Sequence, residues 1–220
     1  MKVAFLGDSI TEGVGVKDRE NNRYDQILKH ECELGAVYNY GVSGTRLAHQ
    51  SVPSDNPRHD LCFCGRAYDM NSAADTVVVY GGINDYIHGD APVGNYGDRT
   101  PATFCGGVWF LMNLLRGKYP GRTIVFMTPA RCAFGPDGVY TQPSGRKMKK
   151  ADAMPVLGYV EIIQKTAPEF GIHVLDLYHE LPIDPIKEED FVKYTSDGLH
   201  FNDEGHHVLA NCLKTFLENI

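Results

Sequence analysis

Five short runs of this chain lack the polar–apolar alternation of a half-exposed strand, and helical patterns separate them. The runs are KVAFLG (2–7), AVYNYG (36–41), DTVVVYGG (75–82), RTIVFMTP (122–129) and GIHVLDL (171–177). Strands that are apolar on both faces fit a parallel sheet covered by helices on both sides. Between them, Tyr24, Ile27, Leu28 and Leu34 recur at helical spacing, with Gly35 read as the stop. Val108, Leu111, Met112, Leu114 and Leu115 mark a second helix that ends near Pro120. Val156, Tyr159, Val160 and Ile163 mark a third. Val208, Leu209, Cys212, Leu213, Phe216 and Leu217 mark the last, capped by Asn202 or Asp203. This alternation predicts an α/β, doubly wound, three-layer αβα domain with a five-stranded parallel sheet. With no repeat and no linker, one domain is expected over 1–220. Two long loops, Ile83–Thr103 and Ala130–Lys149, follow strands and are expected at the carboxyl edge, where such sheets bind ligands.

Bulk properties narrow the partners. The 220 residues are 43% hydrophobic, enough for a sizeable core. A net charge of -7 opposes a phosphate backbone, so no nucleic-acid partner is expected. No apolar run reaches the ~18 residues of a membrane span, so no membrane partner is expected either. The opening MKVAFLGDS is too short in apolar residues for a secretory signal core. A cytoplasmic location is therefore expected, or a secreted one if a leader preceded it. The six cysteines match no zinc spacing and are read as free thiols, with Cys62-x-Cys64 the one close pair. Monomer and homo-oligomer remain equally open.

Four stretches carry candidate chemistry, each closing a strand or opening a helix. They are Gly7-Asp8-Ser9-Ile10, Asn39-Tyr40-Gly41-Val42-Ser43-Gly44, Gly81-Gly82-Ile83-Asn84-Asp85 and Asp197-Gly198-Leu199-His200. Acyl transfer needs a nucleophile, a base, an orienting carboxylate and donors for an oxyanion. Ser9 can attack. Of nine histidines, His200 is read as the one in a turn with a carboxylate three residues back, so Asp197 can reach its Nδ1–H and set the tautomer. Gly44 can offer a backbone N–H and Asn84 its amide. Singly these are a turn, a loop, a turn pair and a helix lead-in; their order along the chain is the stronger signal.

Together the four blocks resemble the GDSL, or SGNH, hydrolase superfamily over essentially the whole chain. The run GGINDYIHGDAPVGNYGDRTPATF (81–104) is similar to a bacterial subgroup of it. Ile83 departs from the commoner small or hydroxylated residue before the block's asparagine. The resemblance implies the flavodoxin-like SGNH fold, Ser9 as nucleophile, and His200 as base with Asp197 behind it. It also implies an oxyanion hole from the Ser9 N–H, the Gly44 N–H and the Asn84 amide, with no cofactor and no metal. Helix N–H groups behind Ser9 are expected to favour the developing charge. The implied reaction is hydrolysis of a small-molecule ester through a covalent acyl-enzyme. The expected substrates are short acyl esters, acetyl above all, with O-acetylated carbohydrate as the candidate class. The alternatives are a lysophospholipase or thioesterase, an acyltransferase, and an inactive carbohydrate-binding protein.

Rival readings lack their motifs. Neither G-x-x-x-x-G-K-[ST] nor G-x-G-x-x-G occurs, and Gly117-Lys118 is followed by tyrosine. A G-x-S-x-G elbow is missing too. His200, His206 and His207 cluster in sequence, but adjacent helical residues diverge and H-E-x-x-H is absent; one of the pair is expected to face solvent and the other to pack. Asp8, Tyr86, His88 and Arg131 are the candidate substrate contacts. Tyr86, His88 and Tyr96 lie in the first long loop, where aromatic rings can stack on a sugar or pack the loop. Arg46, Arg99 and Arg131 are placed at the rim, Trp109 in the core, and the basic run Arg146, Lys147, Lys149 and Lys150 on a solvated surface. The loop stretches HGDAPVGNYGDRTPAT (88–103) and GPDGVYTQPSGRKMKK (135–150) hold only Val93, Val139 and Met148 as larger aliphatic residues, which favours short acyl chains.

Overall fold

A computed structural model of the protein describes residues 1–134 and 154–220. Strands β1 (Lys2–Gly7), β2 (Ala36–Gly41), β3 (Thr76–Tyr80), β4 (Thr123–Met127) and β5 (His173–Leu175) form one parallel sheet in the order β2-β1-β3-β4-β5. That order reverses direction between β1 and β3, the place where open α/β sheets leave a crevice at their carboxyl ends. After β1 come α1 (Ser9–Glu12), α2 (Arg19–Asn22) and α3 (Tyr24–Glu31). Helix α4 (Phe63–Arg66) precedes β3; α5 (Ile83–Ile87) and α6 (Phe104–Lys118) follow it. Then α7 (Val156–Thr166) precedes β5, and α8 (Leu177–Glu180), α9 (Glu188–Tyr194) and α10 (Asp203–Glu218) close the chain.

The central strands bury alternate residues on opposite faces. Ala4, Leu6, Val77, Val79, Ile124 and Phe126 pack against α4, α5, α6 and α7. Val3, Phe5, Val78, Tyr80, Val125 and Met127 pack against α3, α8 and α10. Each fully buried large apolar side chain of this kind contributes roughly 1.5–3 kcal/mol, so both helical layers are held by the same three strands through alternate residues.

Three details differ from the sequence-based expectation. Strand β2 is half-buried along its length, because it lies at the sheet edge and has a strand on one side only. Helix α3 stops at Glu31, short of Gly35. Glu33 takes the left-handed conformation (φ 48°), and the Leu34 N–H closes back on the Lys29 carbonyl, which ends the helix and turns Leu34 into the core. Trp109 is only half-buried: Arg99 stacks over its ring at 4.6 Å and its Nε1–H donates to Glu169. The first long loop opens with α5 and is then knit by its own polar contacts. Asp98 accepts from Asn95 N and Thr103 Oγ1, and Tyr96 lies under Lys165 of α7.

Among the described residues no helix is long and apolar enough to cross a membrane. All six cysteines are free. Asn202 caps α10 by accepting from Gly205 N. Val139, Tyr140, Met148 and the basic run at 146–150 lie outside the described residues.

Candidate active site

Chain geometry brings Ser9 to the sheet edge. β1 ends at Gly7, and Asp8 caps the single turn of α1 by accepting from Ile10 N at 3.0 Å. Gly7 has to be glycine: a Cβ there would lie 1.9 Å from Thr11 Oγ1. Ser9 is thereby the first residue of α1, 6% exposed. One turn supplies N–H groups but almost no macrodipole, so the expected helix-field effect reduces to local donors.

The turn before α10 brings the candidate base. Thr195 bridges Phe201 in antiparallel fashion, Ser196 N donates to the His200 carbonyl, and Ala133 N donates to the Gly198 carbonyl. Within the turn, Asp197 Oδ1 accepts from Leu199 N (3.0 Å) and His200 N (2.8 Å). Its other oxygen, Oδ2, lies 2.7 Å from His200 Nδ1, and His200 Nε2 lies 2.9 Å from Ser9 Oγ. With Nδ1 donating to the carboxylate, Nε2 carries the lone pair and is placed to accept a hydrogen bond from the Ser9 hydroxyl. Burial works to raise the Asp197 pKa, but the His200 hydrogen bond and charge, with the two backbone N–H groups, hold it below the ordinary value.

Candidate oxyanion donors converge on the same edge. Gly44 adopts φ +75°, and the His59 ring packs on it so closely that a Cβ would meet Cδ2 at 2.7 Å. Among the described residues neither the Ser9 N–H nor the Gly44 N–H has a protein acceptor. Asn84 is buried. Its Nδ2 donates to the Thr45 carbonyl (3.0 Å) and, at 3.3 Å, to Asp8 Oδ2, while its Oδ1 accepts from His88 Nε2 at 2.8 Å. Asp85, next in the motif, accepts from Leu47 N and Ala48 N and ties the segment after Gly44 to α5.

The candidate substrate contacts fall differently. Tyr86 is fully buried, its ring edge-on to Tyr159, because α5 forms where a rim loop was expected and turns that face inward. Asp8 is also buried and serves Ile10 and Asn84; burial pushes its carboxyl up to about 6. His88 engages Asn84. Arg131 braces the loop after β4 through the Tyr178 carbonyl and Asp184.

Four further histidines, His88, His179, His206 and His207, share the three-residue spacing attributed above to His200. Of these, Asp176-x-x-His179 forms a 2.7 Å pair, but the carboxylate also takes Gln164 and Thr128, and among the described residues no serine is bonded to it. Of the pair on α10, His206 is buried and accepts from Tyr24 N, while His207 is exposed. Two neighbours of the site, His59 and Thr45, carry no motif in the sequence; only the fold sets them against Gly44 and Asn84.

Comparison with known proteins bears on the fold and the family. A family model described as GDSL-like Lipase/Acylhydrolase matches residues 5–208. A crystal structure from Lactobacillus plantarum is 26% identical, covering 99% of this chain and 96% of its own, with a TM-score of 0.80. A carbohydrate acetylesterase family member from Sinorhizobium meliloti (18% identity, 98% and 96% coverage, TM-score 0.66) shares the fold. So does an acetyl xylan esterase (20%, 98% and 99%, TM-score 0.60). No curated protein matches the sequence. With the sheet order, the four sequence blocks and a family match over nearly the whole length in agreement, the chain belongs to the GDSL-like lipase/acylhydrolase family of ester hydrolases.

Proposed function

We propose that this ester hydrolase works through Ser9, His200 and Asp197. The observation that carries the reading is the continuous chain from Ser9 Oγ to His200 Nε2 (2.9 Å) and from His200 Nδ1 to Asp197 Oδ2 (2.7 Å). Ser9 Oγ attacks the ester carbonyl carbon as its proton passes to Nε2. The carbonyl oxygen becomes an oxyanion that takes the free Ser9 and Gly44 N–H groups. Asn84 supplies a third donor by turning toward it the N–H that leans on Asp8 at 3.3 Å, the longer of its two contacts. Collapse expels the alcohol, which takes the proton from Nε2. Water, deprotonated by the same nitrogen, then attacks the acyl-enzyme and releases the acid.

The substrate class is a short acyl ester, acetyl above all, on a hydroxyl-rich alcohol. The His59 ring closes the space beyond Gly44, and polar groups stand behind it: Glu12 accepts from Ser43 and pairs with Arg58. Six extra methylenes, from acetyl to octanoyl, are worth roughly 5 kcal/mol only where an apolar groove receives them. Two proteins that share the fold are described as acting on acetylated carbohydrate or xylan, which makes such esters the first to assay. The test has two arms. A serine-directed phosphonate should label Ser9 and leave Ser9→Ala unlabelled and inactive. Along acetyl to decanoyl esters of one alcohol, kcat/KM should fall. Labelling elsewhere rejects the mechanism, and a steady rise toward octanoyl rejects the acyl class.

A further inference from the structure

Arg66 closes α4 and belongs to none of the sequence motifs. Its guanidinium reaches the carboxyl edge of the sheet, lying over the Phe63 ring at 4.7 Å. There Nη2 donates to the Gly7 carbonyl (3.1 Å) and to Thr45 Oγ1 (2.8 Å), Nη1 to the Tyr40 carbonyl, and Nε to the Leu61 carbonyl (2.9 Å). Gly7 stands two residues before Ser9 and Thr45 directly after Gly44; the Thr45 carbonyl in turn takes Asn84 Nδ2. One planar fork therefore joins the segments that bear Ser9 and Gly44, and Thr45 carries the link on to Asn84. Among the described residues no carboxylate lies within ion-pair distance of it. A partly buried cation that bonds only neutral oxygens weighs against folding, so its retention calls for a gain elsewhere.

We infer that Arg66 is a positioning residue for the oxyanion hole. The inference rests on the serine-esterase reading above and deepens it. The fork fixes the Ser9 turn and the Gly44 turn at one separation, and its unpaired charge favours negative charge forming in front of them. Lysine cannot substitute, because a point-like ammonium on a flexible stem does not hold several acceptors in one plane.

The experiment compares wild type, Arg66→Lys and Arg66→Met on p-nitrophenyl acetate. Melting temperature and affinity for a small alkylboronic acid, which forms a tetrahedral anion on the serine, are measured alongside. The expected result is a kcat lower by about 10²-fold with little change in KM, as for donors displaced by a fraction of an ångström. Boronate affinity should fall in parallel, and Arg66→Met should be the worse of the two. A lowered melting temperature with wild-type kcat and boronate affinity would make Arg66 a purely structural residue and overturn the inference. Should neither arginine variant fold, Thr45→Val, which removes one acceptor and leaves the charge, gives the same readout, and unchanged kcat and boronate affinity there overturn it equally. Failure of wild type to bind boronate at Ser9 would instead strike the serine-esterase reading.

Discussion

Replacing Asp197 with asparagine changes one oxygen into an NH2 group, and the turn determines which one. Oδ1 accepts two backbone N–H groups, from Leu199 and His200. In Asp197→Asn the amide oxygen stays on those donors, which leaves the NH2 facing His200 Nδ1. The imidazole must then present a lone pair at Nδ1 and carry its proton on Nε2, where it cannot accept from Ser9. Flipping the amide restores the productive tautomer but forfeits two hydrogen bonds, about 1 kcal/mol each. Loss of the carboxylate also removes a charge-assisted bond to the imidazolium as it forms, about 1.5–3 kcal/mol. The sum corresponds to about a thousandfold in kcat/KM. Asp197→Ala loses the charge-assisted bond without locking the wrong tautomer, so its deficit should be about 10–150-fold. The alanine gives the Leu199 and His200 N–H groups no acceptor, so it should be the less stable protein. The two variants should therefore rank oppositely: asparagine melts near wild type and is the slower, while alanine melts lower and is the faster. Initial rates on p-nitrophenyl acetate with parallel thermal melts decide it. Asp197→Asn at or above the rate of Asp197→Ala would refute the tautomer argument and leave His200 oriented by something else.

Three further outcomes are expected. Asn84→Ala should lower kcat by about 10²–10³ with little change in KM, the signature of a donor used mainly in the transition state; a KM effect alone would place Asn84 in ground-state binding. His88→Ala frees Asn84 Oδ1 and lets the amide rotate, so kcat should fall by about tenfold with KM unchanged, whereas a rise in KM would return His88 to substrate contact. For Asp8 the folded pKa lies above the ordinary 3.8, at about 6, so the native state holds the extra proton in that interval. The Asp8 contribution to stability is full below pH ~4, is lost as pH rises through about 6, and spans about 3 kcal/mol. Chemical denaturation of wild type against Asp8→Asn from pH 4 to pH 7.5 reads this as a difference that moves against wild type, and a flat difference would show that Asp8 titrates normally.

Much of this molecule was legible along the chain, because its central strands are apolar on both faces and its long helices repeat at one period. Those patterns are local, and they suffice for the αβα layering and for the ends of the strands that carry Ser9, Gly44 and Asn84. Asp197 and His200 were legible for the same reason, since a three-residue spacing in a turn closes on itself. What spacing cannot do is choose between equals. Asp176–His179 makes the same 2.7 Å pair as Asp197–His200, and only packing of the turn before α10 beside the end of β1 gives one of them a serine. Tyr86 reads as a rim aromatic until α5 turns it onto Tyr159. β2 reads as a covered strand until the sheet order leaves it at an edge. Arg66 and His59 carry no pattern at all. Their partners, Gly7, Tyr40, Gly44 and Thr45, lie up to 59 residues away in the chain, and contacts at that distance are decided by the closure of the whole sheet.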